Sequence, residues 1–137
     1  MVTKHYEWVS LSAFGTKVFD VARLVAVVDR MGDAGFEPSR YWTVDGGARL
    51  PFTVEGFAGD AGTILEQGVL YFDCGSSVEG EFLLGRRPRF RLWMRGDRLE
   101  PQAIKRWIVL SSRLNAALKP DFMTLAFGWT SPKSVDT

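Results

Sequence analysis

The stretch VEGEFLLGRRPRFRLWMR, residues 78–95, constrains the fold more than any other part of this sequence. After Pro88 it alternates strictly between two kinds of side chain, as an extended strand with two different faces does. The apolar face carries Phe90, Leu92 and Met94. The opposite face carries Arg89, Arg91, Trp93 and Arg95. This half of the stretch is therefore predicted to be a β-strand that buries one side only.

The first half of the stretch alternates as well, so residues 78–95 predict a β-hairpin that turns around residues 85–88. A loop with an even number of residues would set Phe82 against Arg91, which either buries a charge or exposes an aromatic ring. An odd-numbered loop avoids this conflict. It predicts three cross-strand pairs: Phe82 with Phe90, Val78 with Met94, and Glu81 with Arg91.

Size and composition are those of a single compact domain that spans residues 1–137, since 46% of the residues are hydrophobic and 13% are aromatic. The N-terminal residues lack the apolar core of a signal peptide, and no apolar run approaches the roughly 20 residues that cross a bilayer. A lone cysteine, Cys74, cannot form an intrachain disulfide. We therefore expect a cytoplasmic protein that does not enter membranes.

The rest of the chain predicts further strands and two helices. A strand is expected at 6–14, followed by a helix at 17–31 that Thr16 caps and Gly32 and Gly35 end. Residues 36–68 form an irregular insert, in which 36–57 are expected to be either a short edge hairpin or an ordered loop, 56–62 a mobile glycine-rich part, and 63–67 one helical turn. A central strand is expected at 69–74, a second helix between Pro101 and Pro120, an internal strand at 122–129, and a flexible tail at 130–137.

This order predicts an α+β fold, a two-layer sandwich in which a mainly antiparallel sheet of about five strands carries two helices on one face. The second helix is expected to bury a stripe of apolar residues at helical spacing, namely Ile104, Trp107, Ile108, Leu114 and Leu118. The apolar face of the hairpin would meet the helices. Its arginine face would look outward, unless the insert at 36–68 covers it.

Residues that commonly perform catalysis are sparse. His5 is the only histidine, so one chain cannot supply a two-histidine metal site, and it would have to meet Cys74 in space to form a thiol–imidazole pair. The glycine-rich segment lacks the lysine of a phosphate-binding P-loop. Glu79 and Glu81 are predicted to pair with arginines across the hairpin rather than to act as an acid–base pair. We expect no enzymatic activity, no cofactor and no metal.

Two regions are candidates for partner binding. The first is the arginine face of the hairpin, on which Trp93 and the unpaired Arg89 and Arg95 are the residues most worth testing, with Arg91 beside them. The second lies in the insert, where Arg40 and Trp42 combine a charge and an aromatic ring on irregular backbone. The simplest interpretation of the first region is a solvated sheet face, and that of the second region is an aromatic plug under a loop. The alternative is a protein-binding surface, because arginine and tryptophan are enriched in interface hot spots.

In overall architecture and composition the chain resembles the small α+β immunity proteins of bacterial toxin systems, and less closely the phage-encoded inhibitors of host defence. The resemblance matches no motif residue by residue. It implies a protein that binds an enzyme tightly and occludes it. Our hypothesis is a non-enzymatic inhibitor of a bacterial toxin or effector enzyme. One alternative is a nucleic-acid-binding accessory domain, which the net charge of +1 does not favour. Homodimerisation through the hairpin or the final strand is a further alternative.

Overall fold

The computed structural model of this chain describes residues 6–44, 47–75, 77–95 and 99–128, with only the backbone of Arg95. The elements are β1 (Trp8–Phe14), α1 (Val21–Asp33), β2 (Arg40–Trp42), β3 (Leu50–Pro51), α2 (Val54–Gln67), β4 (Val69–Asp73), β5 (Val78–Leu83), β6 (Arg89–Arg95), α3 (Pro101–Leu118) and β7 (Phe122–Gly128). The described strands form one antiparallel sheet of order β3-β2-β4-β5-β6-β1-β7. The α+β class is confirmed, but the sheet has seven strands rather than about five, and three described helices replace the expected two.

The predicted register of the β5–β6 hairpin is confirmed. Its pairs include Phe82 with Phe90, Val78 with Met94, and Glu81 with Arg91. The last pair joins Leu83 to Arg89, which leaves the odd-numbered loop 84–88. Matching apolar side chains across the two strands was therefore sufficient to determine how they align.

The described helices all pack on one face of the sheet. The strand residues that belong to the hydrophobic core all point to this face, and they are Val9, Leu11, Ala13, Tyr41, Leu70, Phe72, Val78, Phe82, Phe90 and Leu92. They form a single core with residues from each helix, such as Leu24 of α1, Ile64 of α2 and Trp107 of α3. The outward-facing side of the sheet has no helix over it in the described part of the chain.

The first helix begins later than predicted. Asp20, not Thr16, is its N-cap, and the Asp20 carboxylate accepts a hydrogen bond of 2.7 Å from the backbone N–H of Arg23. The helix starts at Val21 because the preceding residues are extended and carry Phe19 into the core, where its ring meets that of Phe82 edge-on at 5.6 Å. The helix also includes Gly32 and ends at Asp33, before Gly35 takes a positive φ of 87°.

The insert is more regular than predicted. Strands β2 and β3 pair as a short edge hairpin, which was one of the two alternatives. The glycine-rich segment 56–62, predicted to be mobile, lies within the 14-residue helix α2. Each internal glycine costs a helix about 1 kcal/mol relative to alanine. The burial of Phe57, Ala61 and Ile64, at helical spacing, offsets that cost.

The C-terminal part differs from expectation in two places. Strand β7 was predicted to be internal, but within the described chain it pairs only with β1 and forms an edge of the sheet. The apolar residues of β7 that point away from the helices are exposed. Among them, the ring of Phe122 is 55% exposed and stacks on that of Phe14 at a centroid distance of 4.8 Å. In α3, Ile108 was predicted to be buried but is half-exposed, whereas Leu110, which was not part of the predicted stripe, is buried. The predicted tail at 130–137 lies outside the described residues.

Gly80 allows the sheet to pack, and its replacement should destabilise the protein. A Cβ at this position would overlap the Phe72 ring and would lie 2.9 Å from the carbonyl oxygen of Arg91. We expect Gly80→Ala to lower the free energy of unfolding by about 1–3 kcal/mol, as overpacked cores do. Urea denaturation measures this, with Gly59→Ala as control, which should instead raise stability by up to about 1 kcal/mol, because Gly59 lies within α2 and a Cβ there meets nothing within 4 Å. Equal stability of the two variants would show that Phe72 does not pack on Gly80.

Candidate functional site

The outward-facing side of the sheet, here called the open face, is the candidate site. The pairing of the strands aligns its side chains in rows. One row contains Trp42, Tyr71, Glu81, Arg91, Ser12 and Thr124. The next row contains Arg40, Asp73, Glu79, Trp93, Ser10 and Ala126. Aromatic and charged residues therefore occupy β2, β4, β5 and β6, and small residues occupy the neighbouring positions on β1 and β7.

The sheet brings together the two candidate regions that the sequence keeps apart. Arg89, Arg91 and Trp93 on β6 and Arg40 and Trp42 on β2 all belong to the open face. Arg95 belongs to it by register with Trp8, although its side chain lies outside the described part of the structure. Within the described residues the insert does not lie across this face, because β2 and β3 extend the sheet and α2 packs on the opposite side, although the Arg49 side chain reaches onto the face beside Trp42.

Glu81 is the centre of charge pairing on the hairpin. Its Oε1 lies 3.5 Å from Nη1 of Arg91 and 3.8 Å from Nη2 of Arg89. The prediction that Glu81 pairs with arginines is confirmed, whereas the prediction that Arg89 is unpaired is wrong. Glu79 lies opposite Trp93 and makes no ion pair with any residue that the structure describes. The Arg91 guanidinium lies 5.1 Å from the centroid of the Trp93 ring, which is close enough for a cation–π contact.

A second charged cluster orders the β2–β4 end of the open face. The Asp73 carboxylate is only 3% exposed, and its Oδ2 accepts hydrogen bonds from Nε and Nη2 of Arg40 at 3.1 and 2.7 Å. Nη1 of Arg49 lies 3.6 Å from the same oxygen, and the Arg49 guanidinium lies 4.1 Å from the centroid of the Trp42 ring. Trp42 in turn stacks on Tyr71 at 6.1 Å. These contacts hold Trp42 in a defined orientation.

Sequence reasoning missed three members of this surface. Tyr71 and Asp73 alternate in the strand VLYFD, but the nearly continuous apolar character of that strand concealed its second face. Trp8 also lies on the open face. Its indole packs on Gly128 and fills the space that a Cβ on that residue would occupy. Strict alternation of parity along β1 and β4 would have revealed all three residues.

The other aromatic residues of the insert pack inward, as the aromatic-plug interpretation predicted. The rings of Phe52 and Phe57 meet Tyr41 at 6.3 and 5.4 Å. The Tyr41 hydroxyl donates a 2.5 Å hydrogen bond to the Asp60 carboxylate. Burial, together with this hydrogen bond, raises the pKa of Tyr41 to about 12. Tyr41 and Phe52 thus pack in the interior of the insert, whereas Arg40 and Trp42 lie on the open face.

The charges of the open face nearly balance. Its described arginines are residues 40, 49, 89 and 91, and its described carboxylates are residues 73, 79 and 81. All but Glu79 take part in ion pairs with one another. The face is therefore mainly aromatic, with charges that orient the rings, rather than strongly basic.

Cys74 has the environment of a partly buried, unreactive thiol. Its Sγ lies 3.4 Å from the carbonyl oxygen of Phe36, to which it donates a hydrogen bond. Burial, followed by the negative charge of Asp73, raises the pKa of Cys74 to about 12. The thiolate is the reactive form, so this environment does not support a nucleophile at neutral pH. His5 lies outside the described residues.

This environment predicts slow chemical modification of Cys74. At pH 8 we expect an aromatic disulfide reagent to react at least about 100-fold more slowly with the folded protein than with the protein in guanidinium chloride, where the thiol has an ordinary pKa. Because the folded pKa is the higher one, the stability contributed by this group is complete below about pH 9 and is lost as the pH rises toward 12. Rapid labelling of the folded protein at pH 8 would contradict the assignment.

No group of three or more potential metal ligands occurs among the residues that the structure describes. Within the same ranges, no helix is both long enough and apolar enough to cross a membrane. Comparisons with protein-family models, with curated proteins and with solved structures found no match to this chain.

Proposed function

We propose that this protein is a non-enzymatic binding protein of the immunity type, which inhibits a bacterial toxin or effector enzyme by covering it with the open face. The observation that supports this proposal best is that Trp42 and Trp93, both partly exposed, lie beside arginines on the side of the sheet where the described structure has no helix. Tryptophan, tyrosine and arginine are the residues that most often dominate binding energy at protein interfaces.

The contacts within the open face favour tight binding because they hold the aromatic rings in place before a partner arrives. The Arg49 guanidinium lies over Trp42, and Arg91 lies beside Trp93 while it pairs with Glu81. Ordering a flexible side chain on association costs about 0.5–1.5 kcal/mol, so rings that are already ordered lose less conformational entropy when a partner binds. A sheet face with ordered aromatic anchors is suited to occluding the surface of an enzyme.

The charge pattern favours a protein partner over nucleic acid. Binding to nucleic acid depends on arginines and lysines that are free to neutralise phosphates. On the open face, Arg40 and Arg49 share Asp73, and Arg89 and Arg91 share Glu81. A nucleic-acid-binding accessory domain that uses the same residues is the alternative proposal. We place the protein in the cytoplasm, where a single unpaired cysteine remains reduced.

The proposal is tested by expressing the protein together with the product of the gene next to its own in the source genome. We expect a stoichiometric complex on size-exclusion chromatography with light scattering, and loss of the partner's enzymatic activity in the complex. Co-purification of nucleic acid that dissociates steeply with salt would favour the alternative instead. Concentration-dependent self-association without either partner would identify a homodimer interface.

A further inference from the structure

A concave site lies at the tip of the β5–β6 hairpin, at the edge of the open face. This hairpin-tip pocket has a volume of about 660 Å³. Its walls are the end of β1, the hairpin loop and the residue before β7, and among the lining residues are Phe14, Leu83, Pro88 and Asp121. Small-molecule sites usually have volumes of about 300–1,000 Å³, so the pocket has the size of a ligand site.

Three arginines line the pocket: Arg86, Arg87 and Arg89. Arg86 and Arg87 are exposed and make no ion pair with any residue in the described ranges. The Nε of Arg89 is buried and has no hydrogen-bond partner there, and its Nη2 lies 3.8 Å from Glu81, beyond hydrogen-bond distance. The guanidinium groups thus retain donors that an anion could accept.

The remaining walls of the pocket are partly apolar and well anchored. The Asp121 N–H donates a 2.9 Å hydrogen bond to the carbonyl oxygen of Phe14, which ties the start of β7 to the end of β1. Phe14 is supported from behind by its stack on Phe122, and Pro88 is buried. The pocket therefore places a fixed aromatic ring and apolar surface beside the arginines.

From this combination we infer that the hairpin-tip pocket binds a nucleotide. The planar guanidinium groups of Arg86, Arg87 and Arg89 match phosphate oxygens, which arginine binds in a bidentate manner. The half-buried Phe14, with Leu83 and Pro88, offers apolar surface to the base and ribose. This inference does not depend on the function proposed for the open face, since Arg86 and Arg87 of the hairpin loop carry it and Arg89 is the one lining arginine that the two sites share.

Isothermal titration of the purified protein with ADP tests the inference, with adenosine and inorganic phosphate as separate ligands. We expect ADP to bind with a dissociation constant of about 10–100 μM, and each half-ligand to bind at least about tenfold more weakly. The double variant Arg86→Ala/Arg87→Ala should weaken ADP binding at least about tenfold, because it removes two charge-assisted contacts. Both side chains are exposed, so the fold should be retained, which circular dichroism checks.

The matched control removes the same charge elsewhere, through Arg106→Ala and Arg113→Ala on the exposed side of α3. An equal loss of ADP binding in this control would show that net charge alone explains the effect, and would overturn the inference. Absence of ADP binding at millimolar concentration would overturn it as well. Inorganic phosphate bound as tightly as ADP would overturn the nucleotide assignment, and a 5′-phosphorylated oligonucleotide bound more than tenfold tighter than ADP would replace it with nucleic acid.

Discussion

Trp93→Ala should weaken binding to the proposed protein partner about 30- to 700-fold, which corresponds to about 2–4 kcal/mol. Trp93 lies in an inner strand of the open face, between Glu79 of β5 and Ser10 of β1, so a partner that covers this face would bury it. Its loss removes the largest apolar surface on that strand and the ring beside Arg91. Surface plasmon resonance with the co-expressed partner measures the change, which we expect mainly in the dissociation rate.

The control for this measurement is Val109→Ala. Val109 is an apolar residue of α3, 46% exposed, and lies in the helix layer on the other side of the molecule. It should leave affinity unchanged, and neither substitution should change the free energy of unfolding by more than about 1 kcal/mol. If Trp93→Ala and Val109→Ala bound the partner equally well, the open face would not be the interface. Trp42→Ala should then also be without effect.

Phe82→Ala should lower the free energy of unfolding by about 3–5 kcal/mol, a large part of the total stability of a small domain. Phe82 is fully buried on the core side of β5, and its ring lies 4.8 Å from that of Phe90 and 5.6 Å from those of Phe19 and Phe72. The substitution leaves a cavity at the point where the hairpin meets the loop before α1. Chemical denaturation monitored by tryptophan fluorescence measures the loss.

Glu79→Ala, on the same strand but with opposite parity, is the matched control. Glu79 is exposed and has no ion pair with the described residues, so its replacement should change stability by less than about 0.5 kcal/mol. The comparison tests directly which side chains of β5 face the core and which face outward. Similar destabilisation by both substitutions would mean that the two faces of the strand are not as distinct as the register requires.

Local alternation explains why the hairpin could be predicted in detail. In each strand of residues 78–95, every second side chain is apolar. Only an odd-numbered loop places the apolar side chains of both strands on the same side of the sheet. The same reasoning did not identify α2, because its glycines lower helix propensity and only contact with α1 and the sheet makes the helix favourable. Propensity is a local property, whereas the burial of Phe57 and Ile64 depends on the rest of the fold.

The sequence by itself determined the α+β class, the register of the hairpin and the composition of its arginine face, since these follow from side-chain periodicity within about twenty residues. Only the tertiary structure decided that β2 pairs with β4, which places Arg40 and Trp42 on the same face as Arg91 and Trp93. It also decided that, among the described residues, the insert extends the sheet instead of lying across that face and that β7 is an edge. Strand order depends on how the whole chain buries its apolar surface, and no local pattern encodes that.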